Sequence, residues 1–430
     1  MEIFRYPEQQ AWADLLKRPA LDVAKLFDTV RTVLEEVRTE GDAAVKRYEE
    51  RFDHVALTEL QVSEAEIQEA EAAVSPSLKE AIRTAKANIE RFHAAQRFEG
   101  VRVETTPGVT CWQQAMPIEK VGLYIPGGTA PLFSTVLMLA VPARIAGCRE
   151  IVLCTPPNKE GKVHPAILFA AQTAGVSKIF KVGGIQAIAS MAYGTESIPK
   201  VYKIFGPGNQ YVTAAKQWVS LKEVAIDMPA GPSEVEVIGD ETSNPEFIAA
   251  DFLSQAEHGM DSQAILLTTS ESLVEQVQEA IARQVEQLPR KEITEKALAH
   301  SRIILLKNQE EVMAFTNRYA PEHLIIQTRN YAELAAQVEN AGSVFLGPYT
   351  PESAGDYASG TNHTLPTNGY AKAYSGVNLD SFIKKITFQE ITEAGIQSLG
   401  PTIQTMAAGE QLDAHKQAVT IRLNEKQTNV

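Results

Sequence analysis

A chain of 430 residues, 44% hydrophobic and 22% charged, has the composition of a globular protein long enough for two or more domains. Its formal net charge is −14 and no basic face is evident, which argues against nucleic acid or an anionic membrane as a partner. The three cysteines, Cys111, Cys148 and Cys154, are too few and too scattered for a disulfide framework or a Cys-x-x-Cys metal site, and they read as reduced thiols of a cytosolic protein.

The opening MEIFRYPEQQAW lacks the basic and apolar regions of a secretory leader. The most apolar stretch, 131–146, is interrupted by Pro142 and Arg144 and is too short to span a bilayer. The first hundred residues read as helical. Residues 1–20 form an arm, 21–52 is amphipathic, Ser63 with Glu66 has capping-box spacing, and Ser75-Pro76 opens a third helix to about Phe98.

From Val121 the pattern changes. VGLYIP, IVLC, KIFKV and VYKIF read as buried strands, separated by helices near 133–147, 164–175, 184–193 and 208–220. A second block follows EVEVIG at 234–239, with AILLT, RIILL, HLIIQT and SVFLG as strands between further helices. This alternation predicts an α/β protein with two parallel sheets. One unit spans 119–233; the other spans 234–375 and takes the helical residues 21–118 with it. After Gly369 the strand signal fades. Residues 376–430 read as a helical appendage, with helices at 387–399, opened by Thr387 and Glu390 at capping-box spacing, and at 412–423.

Four of the eight histidines stand beside other ligands or bases. In DFLSQAEHG, Asn244-Pro245 starts a helix that puts Gln255 and His258 on one face near its end. The pair can share a metal ion, or His258 can simply complement the helix dipole. In NRYAPEHLIIQT, Glu322 and His323 sit at a helix-to-strand junction, either as two proton acceptors of different pKa or as a solvated loop. GDYASGTNHTLPT reads as a compact loop in which Asp356 offers an oxygen ligand and His363 a hydrogen bond, or as an Asx-type turn. GEQLDAHK places Glu410 at a helix start and His415 one turn in, where a charged exposed face is the ordinary explanation. Gln255, His258, Asp356 and His415 could together form an N/O zinc site, provided that the fold joins three distant segments.

Glycine-rich segments YIPGG, VGG and FGPGN each follow an expected strand, where backbone amides can approach a phosphate. Parallel sheets bind ligands at their carboxyl ends. No GxGxxG follows any strand, so the dinucleotide fingerprint is absent.

DFLSQAEHG, NRYAPEHL, GDYASGTNHTLPT and LDAHK, in this order, resemble the histidinol dehydrogenase family, and AGPSEV at 230–235 and FGPGNQYV at 205–212 fit it as well. The resemblance runs from about Val121 to His415. It implies two Rossmann-like domains, NAD bound by the 119–233 unit, and a C-terminal dimerisation appendage. It implies oxidation of L-histidinol to L-histidine with two NAD⁺ through enzyme-held L-histidinaldehyde, the last step of histidine biosynthesis, in the cytoplasm. Carried over by position, Gln255, His258, Asp356 and His415 would bind one Zn²⁺ per subunit and, with His323, contact substrate. Glu322 and His323 would be the acid–base pair. Ser233, His363 and Glu410 would touch substrate, and Tyr124, Gln186 and Asn209 would line the NAD site. The resemblance also implies a homodimer whose sites are completed across the interface. A zinc hydrolase on the same cluster is the competing enzyme reading, weakened by the absence of HExxH. A non-enzymatic nucleotide- or metal-binding protein is the third.

Overall fold

The structure, a computed structural model, describes residues 1–19, 26–127, 130–229 and 231–424. The start of the expected 21–52 helix, Gly128 of YIPGG and Ala230 of AGPSEV lie outside the described residues. The chain divides into two compact units, 1–96 with 118–382 and 97–117 with 383–430.

In the first unit, β1 (Glu2–Arg5) and α1 (Trp12–Leu15) precede α2 (Phe27–Glu40), α3 (Asp42–Tyr48), α4 (Glu64–Ala73) and α5 (Pro76–Ala94). The amphipathic stretch breaks into α2 and α3 at Gly41, whose φ of +56° suits glycine. Ser63 closes a full capping box on α4, and Ser75 caps α5 with Pro76 behind it, as their spacing predicts. The short strands β2 (Val103–Thr106) and β3 (Val109–Pro117) belong to the second unit.

The alternating region then follows its expected course. It runs β4 (Lys120–Tyr124), α6 (Phe133–Ala146), β5 (Glu150–Thr155), α7 (Pro165–Ala174), β6 (Lys178–Lys181), α8 (Gly184–Tyr193), β7 (Lys203–Phe205), α9 (Gln210–Ser220) and β8 (Ala225–Ile226). The second block runs β9 (Glu234–Gly239), α10 (Pro245–Ala256), β10 (Gln263–Thr268), α11 (Glu271–Val285), α12 (Lys291–Leu298) and β11 (Arg302–Leu305). It continues through α13 (Gln309–Tyr319), β12 (His323–Ile326), α14 (Tyr331–Ala335), β13 (Ser343–Leu346) and α15 (Glu352–Tyr357).

Both sheets are parallel, in the orders β6-β5-β4-β7-β8 and β1-β11-β10-β9-β12-β13. Setting β1 aside, each has the 3-2-1-4-5 order of a doubly wound unit. The inner strands are largely apolar because helices cover both faces of each sheet. Two expectations fail here. The arm 1–20 is not simply helical: β1 extends the six-stranded sheet by pairing with β11. The N-terminal helices also do not join the 234–375 unit. Val33, Val37 and Tyr48 pack with Ile188 and Val212 on one face of the five-stranded sheet, and Ile82 and Ile89 with Val136 and Phe169 on the other. Helical periodicity marks a buried face without specifying what covers it.

The second β-block carries an acid in its core. Glu236, mid-strand in β9, is fully buried and accepts from Thr316 Oγ1 at 2.5 Å. Burial pushes its carboxyl up to about 8, against the Thr316 bond. The folded value lies above an unfolded value of about 4.3, so its contribution is complete at acidic pH and is lost as pH rises through about 8. We expect the parent to lose about 3 kcal/mol more stability than Glu236→Gln between pH 6 and pH 9, measured by urea unfolding.

In the second unit, β3 pairs antiparallel with β2 and with β14 (Ile383–Ile391), and α16 (Glu393–Gly409) packs on α17 (Asp413–Asn424). Thr387 to Glu390, expected to open a helix, lie in β14, where Phe388 stacks on Trp112. The N-cap is Thr392, accepting from Gly395 N. Among the described residues, no helix is long and apolar enough to cross a membrane.

Candidate active site

The site is assembled at the amino ends of β9, β10 and β12. Asn244 and Pro245 start α10 as expected, and Gln255 occupies its last turn. Gln255 is fully buried, yet neither amide atom has a hydrogen-bond partner. His258 lies just past the helix end, its Nε2 3.8 Å from Asp356 Oδ2. The end of α10 presents carbonyl groups and negative dipole, which favour a cation.

Asp356 does not lie in a loop as expected; it is in α15, and the irregular segment begins after Tyr357. The helix places Glu352 one turn before Asp356, on the same face. Glu352 is fully buried, and both its oxygens lack partners. His258, Glu352 and Asp356 present ligand atoms all within 4.8 Å of one another.

Glu322 and His323 are only 5% and 4% exposed, so the solvated-loop reading fails. The first residue of β9 holds both: Glu234 N donates to Glu322 Oε2 at 2.9 Å, and His323 Nδ1 lies 3.2 Å from Glu234 O. Arg18 in turn fixes Glu234, donating to its two carboxylate oxygens at 2.5 and 2.9 Å and to Tyr319 O at 2.6 Å. A carbonyl only accepts, so neutral His323 carries its proton on Nδ1 and presents its lone pair at Nε2. That Nε2 has no hydrogen-bond partner and stands 3.7 Å from Asp356 Oδ1. Burial raises Glu322 to about 8, partly offset by His323 and the Glu234 amide. Burial alone would lower His323, but the carboxylates of Glu352, Glu322 and Asp356 outweigh it and hold the imidazole well above its usual range. His363 Nδ1 lies 2.9 Å from Asp356 O, and its Nε2 lies 3.1 Å from Thr135 Oγ1.

His258, Glu322, His323, Asp356 and His363 line a cavity of about 920 Å³. Its opposite wall is the carboxyl edge of the five-stranded sheet: Thr135 in the first turn of α6, Gly206 to Asn209 after β7, and Asp227 after β8. One sheet thus faces the cavity with helix N-termini, which suit anions, and the other with the acidic and imidazole cluster. Binding at the carboxyl ends of strands, expected from parallel sheets, therefore describes only one wall. The loop after β7 is held by a buried ion pair. Lys216 Nζ meets Asp227 Oδ1 at 2.5 Å and donates to Gly206 O at 2.8 Å, while Gly206 N donates to Asp227 Oδ2 at 2.8 Å. Lys216→Met leaves Asp227 buried without its cation, and we expect a loss of about 3–5 kcal/mol in urea unfolding.

The histidinol dehydrogenase family model matches residues 16–423. Histidinol dehydrogenase of Bacteroides thetaiotaomicron is 69% identical over 424 residues, covering 99% of each chain. That of Salmonella typhimurium is 54% identical, covering 97% of this chain and 96% of its own. The chain belongs to the histidinol dehydrogenase family. The crystal structure of histidinol dehydrogenase from Elizabethkingia anophelis, 56% identical, superposes with a TM-score of 0.97 over 98% of both chains. Membership makes the chain an oxidoreductase.

Of the residues carried over from the histidinol dehydrogenase resemblance, Ser233, His258, Glu322, His323, Asp356 and His363 share the cavity. Asn209 also lines it and caps α9, accepting from Tyr211 N and Val212 N. Tyr124 and Gln186 lie at the same sheet edge in a buried network: Tyr124 OH accepts from Gly184 N, and Gln186 Nε2 donates to Glu49 Oε1. Glu410 and His415 are in the second unit. Glu410 ends α16 rather than starting a helix, because Gln411 turns the chain with φ +58°; His415 is in the first turn of α17. Sequence reasoning missed Glu352, although its i,i+4 spacing to Asp356 was a usable signal. It also missed Thr135, Arg18 and the Lys216–Asp227 pair, which had no local signal.

Proposed function

We propose that the chain oxidises L-histidinol to L-histidinaldehyde and then to L-histidine with two NAD⁺, as the last step of histidine biosynthesis in the cytoplasm. The observation that carries this reading is His323: an imidazole with its Nδ1 committed to a backbone carbonyl and its Nε2 free in a cavity large enough for two ligands.

The residues fit a zinc ion. Two buried groups, Gln255 and Glu352, offer unpartnered donor atoms, and His258 and Asp356 stand beside Glu352. Held by Gln255, His258, Asp356 and His415, zinc would anchor the amine and imidazole of histidinol, both good donors for it, and offset the carboxylates around His323. Bound along the wall of Asn209, with Tyr124 and Gln186 at the same edge, NAD⁺ would accept hydride.

The chain's own groups then divide the work. His323 Nε2 takes the alcohol proton as hydride leaves the substrate carbon. Glu322, anchored through one oxygen by Glu234 N, takes a proton from the water that adds to the aldehyde. His323, having released its first proton to solvent, takes the hydrate's hydroxyl proton in the second oxidation. His363 holds its acceptor Nε2 toward Thr135, and Ser233 adds a hydroxyl to the wall, so both are placed to orient substrate. The chain acts as a homodimer in this reading, and Glu410 and His415 complete the site of the partner copy.

Turnover of L-histidinol with NAD⁺ tests the proposal. Two NADH per substrate, abolished by a chelator and restored by Zn²⁺, is the expected result. No NADH, or turnover indifferent to chelation, would count against it.

A further inference from the structure

Glu322 and His323 are aimed by the peptide groups of one residue. Glu234 N donates to Glu322 Oε2 at 2.9 Å, and Glu234 O accepts from His323 Nδ1 at 3.2 Å. β9 begins at Glu234, and the segment before it, Gly231 to Ser233, is irregular, so the side chain of Glu234 matters to how its peptide sits. That side chain is buried, and Arg18 grips it with two donors, Nε to Oε2 at 2.5 Å and Nη2 to Oε1 at 2.9 Å. A two-point contact of guanidinium with carboxylate fixes orientation as well as distance.

The same Nη2 donates to Tyr319 O at 2.6 Å, with Ala320 O at 3.4 Å, and the guanidinium lies 3.8 Å from the centroid of the Tyr319 ring. These carbonyls end α13, where a cation is favoured. Ala320 has φ +54°, a left-handed conformation that residues other than glycine rarely adopt. It turns the chain from α13 into Pro321, Glu322 and β12. A strained turn persists only where its surroundings over-determine it. Arg18 therefore ties the turn that carries the acid–base pair to the residue that aims the pair. The arm that delivers Arg18 is itself fastened: β1 pairs with β11, Trp12 meets Phe315 edge-on with centroids 5.4 Å apart, and Arg302 donates to Leu15 O and Lys17 O.

We infer that Arg18 is a positioning residue for the proton transfers: by joining the Glu234 carboxylate to the carbonyls that end α13, it sets where the Glu322 carboxyl and His323 Nε2 stand. The inference rests on the acid–base reading of Glu322 and His323 and extends it to the N-terminal arm, about 300 residues away in sequence.

Arg18 also borders the cavity, and a buried ion pair can serve stability alone, so the test has to separate positioning from substrate contact and from folding. Two variants do this, each assayed for L-histidinol oxidation at saturating NAD⁺ alongside Tm and zinc content. Arg18→Met combined with Glu234→Gln removes both charges, so no carboxylate is left buried without its cation. Arg18→Lys keeps the charge but has no planar fork. We expect the folded double variant to lose about 100-fold in kcat, the scale of a misplacement of about 1 Å, with KM for L-histidinol within about threefold of the parent and zinc content unchanged. Arg18→Lys is expected to recover part of that loss. A folded double variant with kcat within about tenfold of the parent would overturn the inference, and so would a rise in KM with kcat retained, which describes a substrate contact. Failure of both variants to fold would do the same, since it assigns Arg18 to stability. A parent that produces no NADH from L-histidinol would instead sink the proposed activity.

Discussion

Replacing His323 with asparagine is expected to lower kcat for L-histidinol by about 10³-fold while leaving zinc content and NAD⁺ binding unchanged, because general-base catalysis contributes 10²–10⁴-fold. Asparagine is the informative choice. Its side-chain amide can donate to Glu234 O as Nδ1–H does, so the bond that orients the residue survives and only the free lone pair at Nε2 is lost. The site is rigid enough for this to be interpretable: Arg18 pins the Glu234 carboxylate, and the Glu234 backbone holds both Glu322 and His323. Steady-state kinetics under saturating NAD⁺ provide the check. A kcat within tenfold of the parent would remove His323 from the chemistry.

The second large effect is a gain from nothing. His323→Ala and His415→Ala chains are each expected to be inactive alone. Mixed and allowed to exchange, they should recover up to about a quarter of parent activity, since half the dimers are then hybrid and each hybrid keeps one intact site of two. Recovery requires that His323 of one copy work with His415 of the other. If each site were built from a single chain, every site in the hybrid would still lack one of the two histidines, and the mixture would remain inactive.

The inner parallel strands were readable because they are buried on both faces. AILLT and HLII carry apolar runs between turn signals, and EVEVIG departs from that pattern only at Glu234 and Glu236. The antiparallel strands were not. β14 is mostly exposed and has no such run, and its partner β3 is remote in sequence, so Thr387 and Glu390 could mimic a helix start. β1 is four residues long and finds its partner about 300 residues away, at Arg302 to Leu305. Local chemistry was legible in the same uneven way. Gln255 with His258 and Glu322 with His323 declare themselves as neighbours, but their meeting with Asp356 depends on which ends of β9, β10 and β12 face the cavity. That orientation is a tertiary fact. Glu352 is the opposite case: its spacing was visible, and only its burial without partners gives the spacing meaning.

The central claim is that histidinol is gripped between the donors at the end of α10 and on α15, with its carbinol beside His323. Zinc-edge anomalous diffraction from crystals grown with L-histidinol addresses it directly. The account predicts one zinc peak in bonding contact with Gln255 Oε1, His258 and Asp356, and the substrate hydroxyl within hydrogen-bond reach of His323 Nε2. Zinc or substrate bound away from this cavity, or a hydroxyl turned from His323, would contradict it.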